Sequence, residues 1–551
     1  MEEKPEVRIR SSGLTPRAII WGLVIGIILQ ATIYYMTMAL GFSTDVSGLS
    51  ALFAMLVVPI IGGKTNRYEI NIVQTLASTT AAMAIPLATY YIVILQRGET
   101  VNTVMLIVLL LFAGLVGIVM NAILRKHYIH DTTLPFPIPT YVAEVVKKTD
   151  DRDKIQIRCL WIGIVIGIIF TLIQDGLGLV PGSIQLTKGL GLGINLVIGF
   201  TPLAMALGYI VGKPTGLYML GGALFSGLVI SPIATAVGWI PNPNTVPEGM
   251  SALTEFNLPL FLGITVAGTF AFLLRNIKQF NMKGKGSDAE VDPKTELPMK
   301  LTIIVGVAST VVVVLIMLFA FGTNPLSLLG SIIVGSIIIY IYTRIQAQTG
   351  MGVQSYLTFL AFIVTLVLIR DSLAALVTIT IIGVIGALSG DTIADFKTGQ
   401  LLGASPRAQY ISQFIGFAPS VVTGVILVSI MVSQFGIATP EAPYPAAQIF
   451  YATAQAGTGT LSDLLDVTRL IVGSGVGLIM GLFSLPVPVI GVSLYLPMGI
   501  MMSGGLGCLI RMFVKKRWGD TAEQHGMNVS AGISIGAGII ITVFTYTLLF
   551  M

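Results

Sequence analysis

The stretch GDTIADFKTGQLLGASP, residues 390–406, sets Asp391, Asp395 and Lys397 between two long apolar runs. A charged side chain at bilayer depth costs upwards of about 2.5 kcal/mol unless it faces protein or water, so such residues usually mark a path for ions or solutes. The stretch YVAEVVKK at 141–148 repeats that chemistry: Ala143-Glu144 aligns with Ala394-Asp395, and a lysine follows each acid. Pro135, Pro137 and Pro139 precede the first stretch, while Gly390 and Gly399 flank the second. Both therefore read as hairpins or half-helices whose ends turn backbone dipoles toward a cavity. A third candidate, YEINIVQTLASTTAAMAIP at 68–86, brings Asn71, Gln74, Thr75 and Ser78 close to one helical face. In lipid such groups either bond to neighbouring helices or line a wet cavity. The competing reading for the acids is pairing with nearby lysines in a solvated loop. It weighs more for Glu144, beside Lys147, Lys148 and DDRDK, than for Asp391 and Asp395, which lie between apolar runs.

The elements that must position these residues follow from composition. Of 551 residues, 54% are hydrophobic and 10% charged, with a mean hydropathy of +0.89. Soluble domains carry about a quarter charged residues. Apolar runs of about 20 residues, enough to cross about 30 Å of hydrocarbon, recur along the whole chain. The expected fold is an all-α polytopic membrane protein of about sixteen transmembrane helices, eight in each of two halves. The halves are 1–275 and 301–551, joined by a polar linker at 276–300. Abundant Gly (61) and Pro (26) imply close helix packing and broken or re-entrant segments, with 441–468 read as one that re-enters. Runs at 373–389 and 407–435 bracket the charged stretch. Gly208, Pro214, Gly216, Gly221 and Gly222 recur as Gly491, Pro497, Gly499, Gly504 and Gly505, each 283 positions later, which supports an internal duplication. Lys4, Arg8, Arg10 and Arg17 set the N-terminus in the cytoplasm, and the first long run reads as a retained span rather than a cleaved signal.

Several functions are excluded. The net charge of +5 comes mainly from loop Lys and Arg that orient spans, not from a nucleic-acid surface. Cys159 and Cys508 sit in apolar segments and form no metal-spaced pair. There is no HExxH, and His127 and His130 lack a third ligand nearby, so neither a metal site nor a cofactor is expected. Without a GxxxxGK[ST] motif, energy should come from an ion gradient rather than from ATP bound to this chain.

The stretches GLTPRAIIWGLVIGII, EINIVQTLAS, FPIPTYVAEVVK, GYIVGKPTGLYMLGGALFSGLVI, GDTIADFKTGQLLGASPRAQYISQFIG and LPVPVIGVSLYLPMGIMMSGG run through nearly the whole chain. In that order they resemble the oligopeptide transporter family, in its prokaryotic members and related yellow-stripe-like branch. The resemblance implies an internally repeated secondary transporter in the cell membrane, proton-coupled, carrying small peptides, peptide-like solutes or metal chelates, and compatible with a homodimer. It implies no enzyme. Asp391, Asp395 and Lys397 would shape the central site, with Glu144 as counterpart and Asn71, Gln74, Thr75 and Ser78 beside them. The chain departs from the family pattern after VQTLA, where STTAA replaces a Gly and Glu, so no acid follows Ser78. The residues themselves leave open an amino-acid or inorganic-cation carrier, and a membrane-embedded enzyme acting on a lipid-soluble substrate.

Overall fold

The computed structural model describes residues 13–40, 46–62, 65–129, 134, 136–147, 154–189, 191, 193–245, 248–276, 298–349, 354–439, 442–456 and 466–547. In chain order the first helices are α1 (Pro16–Leu40), α2 (Val46–Gly62), α3 (Arg67–Ala81), α4 (Thr103–Ile129) and α5 (Pro137–Lys147). Next come α6 (Lys154–Thr171), α7 (Pro202–Val211), α8 (Thr215–Phe225) and α9 (Glu248–Asn276). The second half contributes α10 (Met299–Phe321), α11 (Pro325–Thr349), α12 (Gln354–Ile369), α13 (Ser372–Leu402) and α14 (Pro406–Phe435). It ends with α15 (Pro445–Ala456), α16 (Val467–Leu482), α17 (Val487–Tyr495) and α18 (Met498–Thr547), the last bent at Gly519, whose φ is 82°. One short antiparallel pair, β1 (Ser183–Gln185) and β2 (Val197–Gly199), interrupts the helices.

Ten of the described helical stretches are long and apolar enough to cross a bilayer, and five shorter apolar helices accompany them. The sidedness of each helix is that of a protein dissolved in lipid. On α10, Leu301, Ile304, Val307, Val311 and Leu315 face outward while Gly306 and Ser309 are buried. On α3 every residue from Glu69 to Ala81 is buried, the amides and hydroxyls included. An apolar exterior over a core that also buries many amides and hydroxyls is unlike a water-soluble domain. The chain is an all-α polytopic membrane protein. α5 and α15 have 11 and 12 residues, short of the roughly 20 a crossing helix needs.

Contacts divide the chain into two compact units. The first holds Met1–Tyr34, Asp45–Lys154 and Asn281–Ser429; the second holds Tyr35–Thr44, Ile155–Phe280 and Ile430–Met551. In the first unit, α13 packs against α3, α4, α5, α11 and α12. In the second, α6 and α18 cross through glycines. Gly163 and Gly167 lie against the backbone carbonyls of Val529 and Ile533, and Gly532 and Gly536 against those of Leu160 and Ile164. Small residues four apart let two backbones touch, which supplies packing contacts where lipid gives no hydrophobic drive.

The charged stretch 390–399 differs from the hairpin its glycines suggested, because α13 runs unbroken through it from Ser372 to Leu402. Gly390 is a packing glycine: a Cβ there would overlap the Tyr342 ring and come within 3.0 Å of Gln346 Oε1. Gly399 is another, with the Gln409 amide lying on it. The helix ends instead at Gly403, whose φ of 75° is the left-handed conformation of a C-cap. The two stretches aligned in sequence therefore stand in different elements, Asp395 in the last third of a 31-residue helix and Glu144 in the 11-residue α5.

A different pair of segments is built alike. Phe136 and Tyr444 are buried aromatics with φ of 44° and 45°, each just before the proline that opens a short helix, α5 or α15. Their backbone N–H groups donate to carbonyls of other helices, Phe136 to Ala347 (2.8 Å) and Tyr444 to Met38 (2.9 Å). A following proline steers each residue away from the right-handed helical region, and the surrounding contacts hold it in the left-handed one.

Candidate functional site

The site of interest lies within the first unit, where α13 is buried along almost its whole length. Asp395 is fully buried there. Its Oδ1 accepts hydrogen bonds from Ser47 Oγ of α2 (2.9 Å) and from the Gln74 side-chain amide of α3. Its Oδ2 accepts from Ser78 Oγ (2.5 Å). Gln74 Oε1 in turn accepts from the Asn71 amide (3.0 Å). Gln409, on α14, donates both to Asn71 Oδ1 (3.2 Å) and to the backbone carbonyl of Asp395 (2.8 Å). Three helices, α2, α3 and α13, thus meet at one carboxyl group, with α14 bonded to the backbone beside it, and the donors named here are neutral hydroxyls and amides.

Local structure explains the placement. Asn66 opens α3 as its N-cap, its side chain accepting from the N–H groups of Tyr68 and Glu69 (3.0 Å each). Capping there fixes the register that turns Asn71, Gln74 and Ser78, spaced three and four apart, toward α13. Small residues on α1 bring that helix close to α3: Gly22 lies against Leu76 and Gly26 against Thr80. Burying a carboxyl group among hydroxyls and amides is tolerable because each of its oxygens is hydrogen-bonded.

Sequence reasoning singled out eight residues, and the structure gathers four of them, Asp395, Asn71, Gln74 and Ser78, into this network. Thr75 is also fully buried, and its Oγ1 has no hydrogen-bond partner among the described residues. Asp391 lies one helical turn before Asp395 on the same side of α13, partly exposed. Lys397 is separate. Two residues further on, it projects from another face, where its Nζ donates to the Ile129 carbonyl and to Gln400 Oε1 (2.9 Å each) and lies 5.4 Å from the Phe136 ring centroid. Glu144 belongs to α5; its side chain lies outside the described residues. Two contributors went unnoticed, Ser47 and Gln409, as did the buried Gln413 one turn beyond Gln409. The signal for the glutamines was present in SPRAQYISQFIG, where two amides four apart enter an apolar run.

Glu69 looks like a further intramembrane acid but is committed to architecture. Its Oε1 accepts from Thr15 Oγ1 (2.7 Å) and Arg17 Nε (2.9 Å), and its Oε2 pairs with Arg17 Nη2. A bidentate guanidinium on a nearly buried carboxylate pins α1 to the first turn of α3. Glu69→Gln should therefore lower stability by about 1–3 kcal/mol, because Arg17, a quarter exposed, keeps part of its hydration. The check is thermal unfolding in detergent alongside uptake per folded molecule, which should stay close to that of the unmodified protein. A loss of uptake at unchanged stability would assign Glu69 to the transport path instead.

A family model described as OPT oligopeptide transporter protein matches residues 13–548. The chain belongs to the OPT family. Relatives of this OPT chain include a Saccharomyces cerevisiae protein named oligopeptide transporter YGL114W, 23% identical over 434 residues. A Haemophilus influenzae protein named oligopeptide transporter is 22% identical over 507 residues, 77% of this chain and 78% of that protein. The rice protein named metal-nicotianamine transporter YSL11 is 29% identical over 171 residues, 28% of this chain and 24% of that protein. All three names are provisional ones. The yeast match covers 62% of this OPT chain and only 57% of the yeast protein's length. Membership accords with the multi-pass membrane architecture of the OPT chain.

Proposed function

We propose that this transporter is a proton-coupled symporter of the cell membrane, moving small peptides, peptide-like solutes or metal chelates, with Asp395 as the group that gains and loses the coupling proton. The observation that carries this reading is the Asp395 carboxyl itself, fully buried on α13 and held by side chains of α2 and α3. A carboxyl surrounded by hydroxyls and amides can reorganise its hydrogen bonds when it takes up a proton, since each such group can donate or accept. Asp391, one turn away and partly exposed, is placed to pass protons toward it. Asn71, Gln74 and Ser78 hold the carboxyl group, Thr75 lies beside them, and Lys397 ties α13 to the Ile129 carbonyl of α4. Glu144, on α5 which packs against α13, is the third acid of the pathway. The two oligopeptide transporter names and the metal-nicotianamine name among the relatives support the cargo classes.

An internal duplication underlies the assembly. Each compact unit takes segments from both halves of the chain, the two units alternating through six successive segments. The 283-residue offset joins like elements, because Pro214 opens α8 after α7 just as Pro497 precedes α18 after α17. Alternating access would then come from one repeated bundle moving against the rest.

The test is uptake by proteoliposomes of a labelled peptide panel and of iron chelates, with and without an inward proton gradient. Gradient-stimulated accumulation of one cargo class is the expected result. Uptake indifferent to the gradient would end the symport reading, and uptake of neither class would end the assignment of cargo.

A further inference from the structure

Close to Asp395 lies a side chain that the network does not use. Gln413 of α14 is fully buried, and neither atom of its amide has a hydrogen-bond partner among the described residues. A buried primary amide left unmatched at both its donor and its acceptor is rare, because folding forfeits its bonds to water.

Its position follows from helix register. α14 runs parallel to α3: Gln409 bonds to Asn71, and the Gly416 carbonyl accepts from Thr80 Oγ1 (3.2 Å) and lies against Leu76. Gln413 falls on the same stripe of α14 as Gln409 and Gly416, midway between those contacts. On α3 the corresponding level is that of Gln74 to Ser78, the residues that hold the Asp395 carboxyl group. Gln409 also reaches the Asp395 backbone, and Tyr410 packs on Phe396 with ring centroids 4.3 Å apart, so the same stretch of α14 lines α13. Gln413 and Thr75 thus occupy the seam of α3, α13 and α14 at the height of Asp395.

We propose that Gln413 is a positioning residue for the proton-loaded form of Asp395, receiving its carboxyl group when the proton binds. A neutral carboxylic acid and a primary amide pair through two hydrogen bonds at once. The carboxyl O–H donates to Oε1, and Nε2–H donates to the carboxyl C=O. An ionised carboxylate has no proton to give and would set its charge beside Oε1. The ionised group instead suits Ser47, Gln74 and Ser78, which can all donate to it. Protonation would therefore move one side chain between two hydrogen-bonded stations, a two-state element of the kind that coupling requires. This rests on Asp395 being the coupling carboxyl group.

Other charges around the seam form a background that substitution of Gln413 leaves in place. They are Asp391 and Lys397 on α13, Arg67 and Glu69 on α3, Arg17 on α1, Arg407 on α14, Arg125 on α4, Arg344 on α11, and Glu144 and Lys147 on α5; α2 carries none.

The experiment is an infrared titration of the carboxylic acid band in the detergent-solubilised full chain, the band being assigned to Asp395 by its loss in Asp395→Asn. In Gln413→Met, similar in shape but without the amide, the titration midpoint should move to lower pH by about one unit, a tenfold weaker hold on the proton. The pH of half-maximal uptake should move the same way. A midpoint unchanged in Gln413→Met overturns the proposal while leaving Asp395 as the coupling group. Should Gln413→Met fail to fold, Gln413→Asn keeps an amide too short to reach; it should show the same acid shift, and an unchanged midpoint there is equally fatal. If Asp395→Asn retains full proton-driven uptake, the underlying reading of Asp395 fails first, and the role of Gln413 with it.

Discussion

Asp395→Asn is expected to abolish proton-driven accumulation while the protein still folds. Asparagine preserves the shape of the side chain, and its Oδ1 and Nδ2 can satisfy Ser47 and Ser78, whose hydroxyls rotate to donate or accept. The loss of one hydrogen bond in the network costs about 1 kcal/mol, or roughly a 5-fold effect, so a purely architectural role predicts a modest decline. Removal of the only proton-binding function of that side chain predicts much more, a fall of on the order of 100-fold or greater in accumulation against a gradient. Equilibrium exchange of labelled cargo across the membrane distinguishes the two, because exchange needs the moving parts but no net proton transfer. The expected pattern is lost accumulation, retained exchange and an unfolding temperature within a few degrees of the unmodified protein. Lost exchange with a lowered unfolding temperature would mean that Asp395 merely holds α2, α3 and α13 together.

How much of this site could be read in the amino-acid sequence depends on the range of the signal. The polar stripe Asn71, Gln74, Thr75 and Ser78 is a local pattern of three- and four-residue spacings, and α3 displays it as its spacing requires. Asp395 was legible because a charge between apolar runs is costly wherever the chain folds. What the spacing could not convey was which residues of other helices come to meet it. Ser47 and Gln409 reach Asp395 across 348 and 14 positions, and nothing local to either residue specifies that meeting. Glycines misled in one particular way. Gly390 and Gly399 signalled helix breaks by their intrinsic preference, yet Tyr342 and Gln409 occupy the space where a Cβ would be, and tertiary packing overrode propensity. Lys397 was grouped with the acids by proximity along the chain, but a helix turns about 100° per residue and sends a neighbour two positions on to another face. The all-α membrane class needed none of this finer information, because composition and the repeated apolar runs already required it.

Packing glycines also provide the largest stability effect expected outside the site. In the second unit, α16 presents Gly473, Gly477 and Gly481 to α9, where they lie against the backbone at Leu260, Ile264 and Gly268. A Cβ on Gly477 would overlap the Ile264 carbonyl oxygen and come within 2.7 Å of its Cα. Backbone atoms cannot swing aside as a side chain can, so Gly477→Ala must push the two helices apart. That forfeits contacts along the whole crossing and should cost about 3 kcal/mol, the upper end of ordinary overpacking. Gly475 supplies the control on the same helix, because nothing lies within 4 Å of a Cβ added there. Gly475→Ala should be neutral or stabilising by up to about 1 kcal/mol, the intrinsic preference of a helix interior for alanine. Thermal unfolding of both variants in detergent compares the same substitution, two positions apart, on opposite faces. If the two variants unfold at the same temperature, close backbone approach is not what holds α16 to α9, and the spacing of its glycines would then need a cause other than packing.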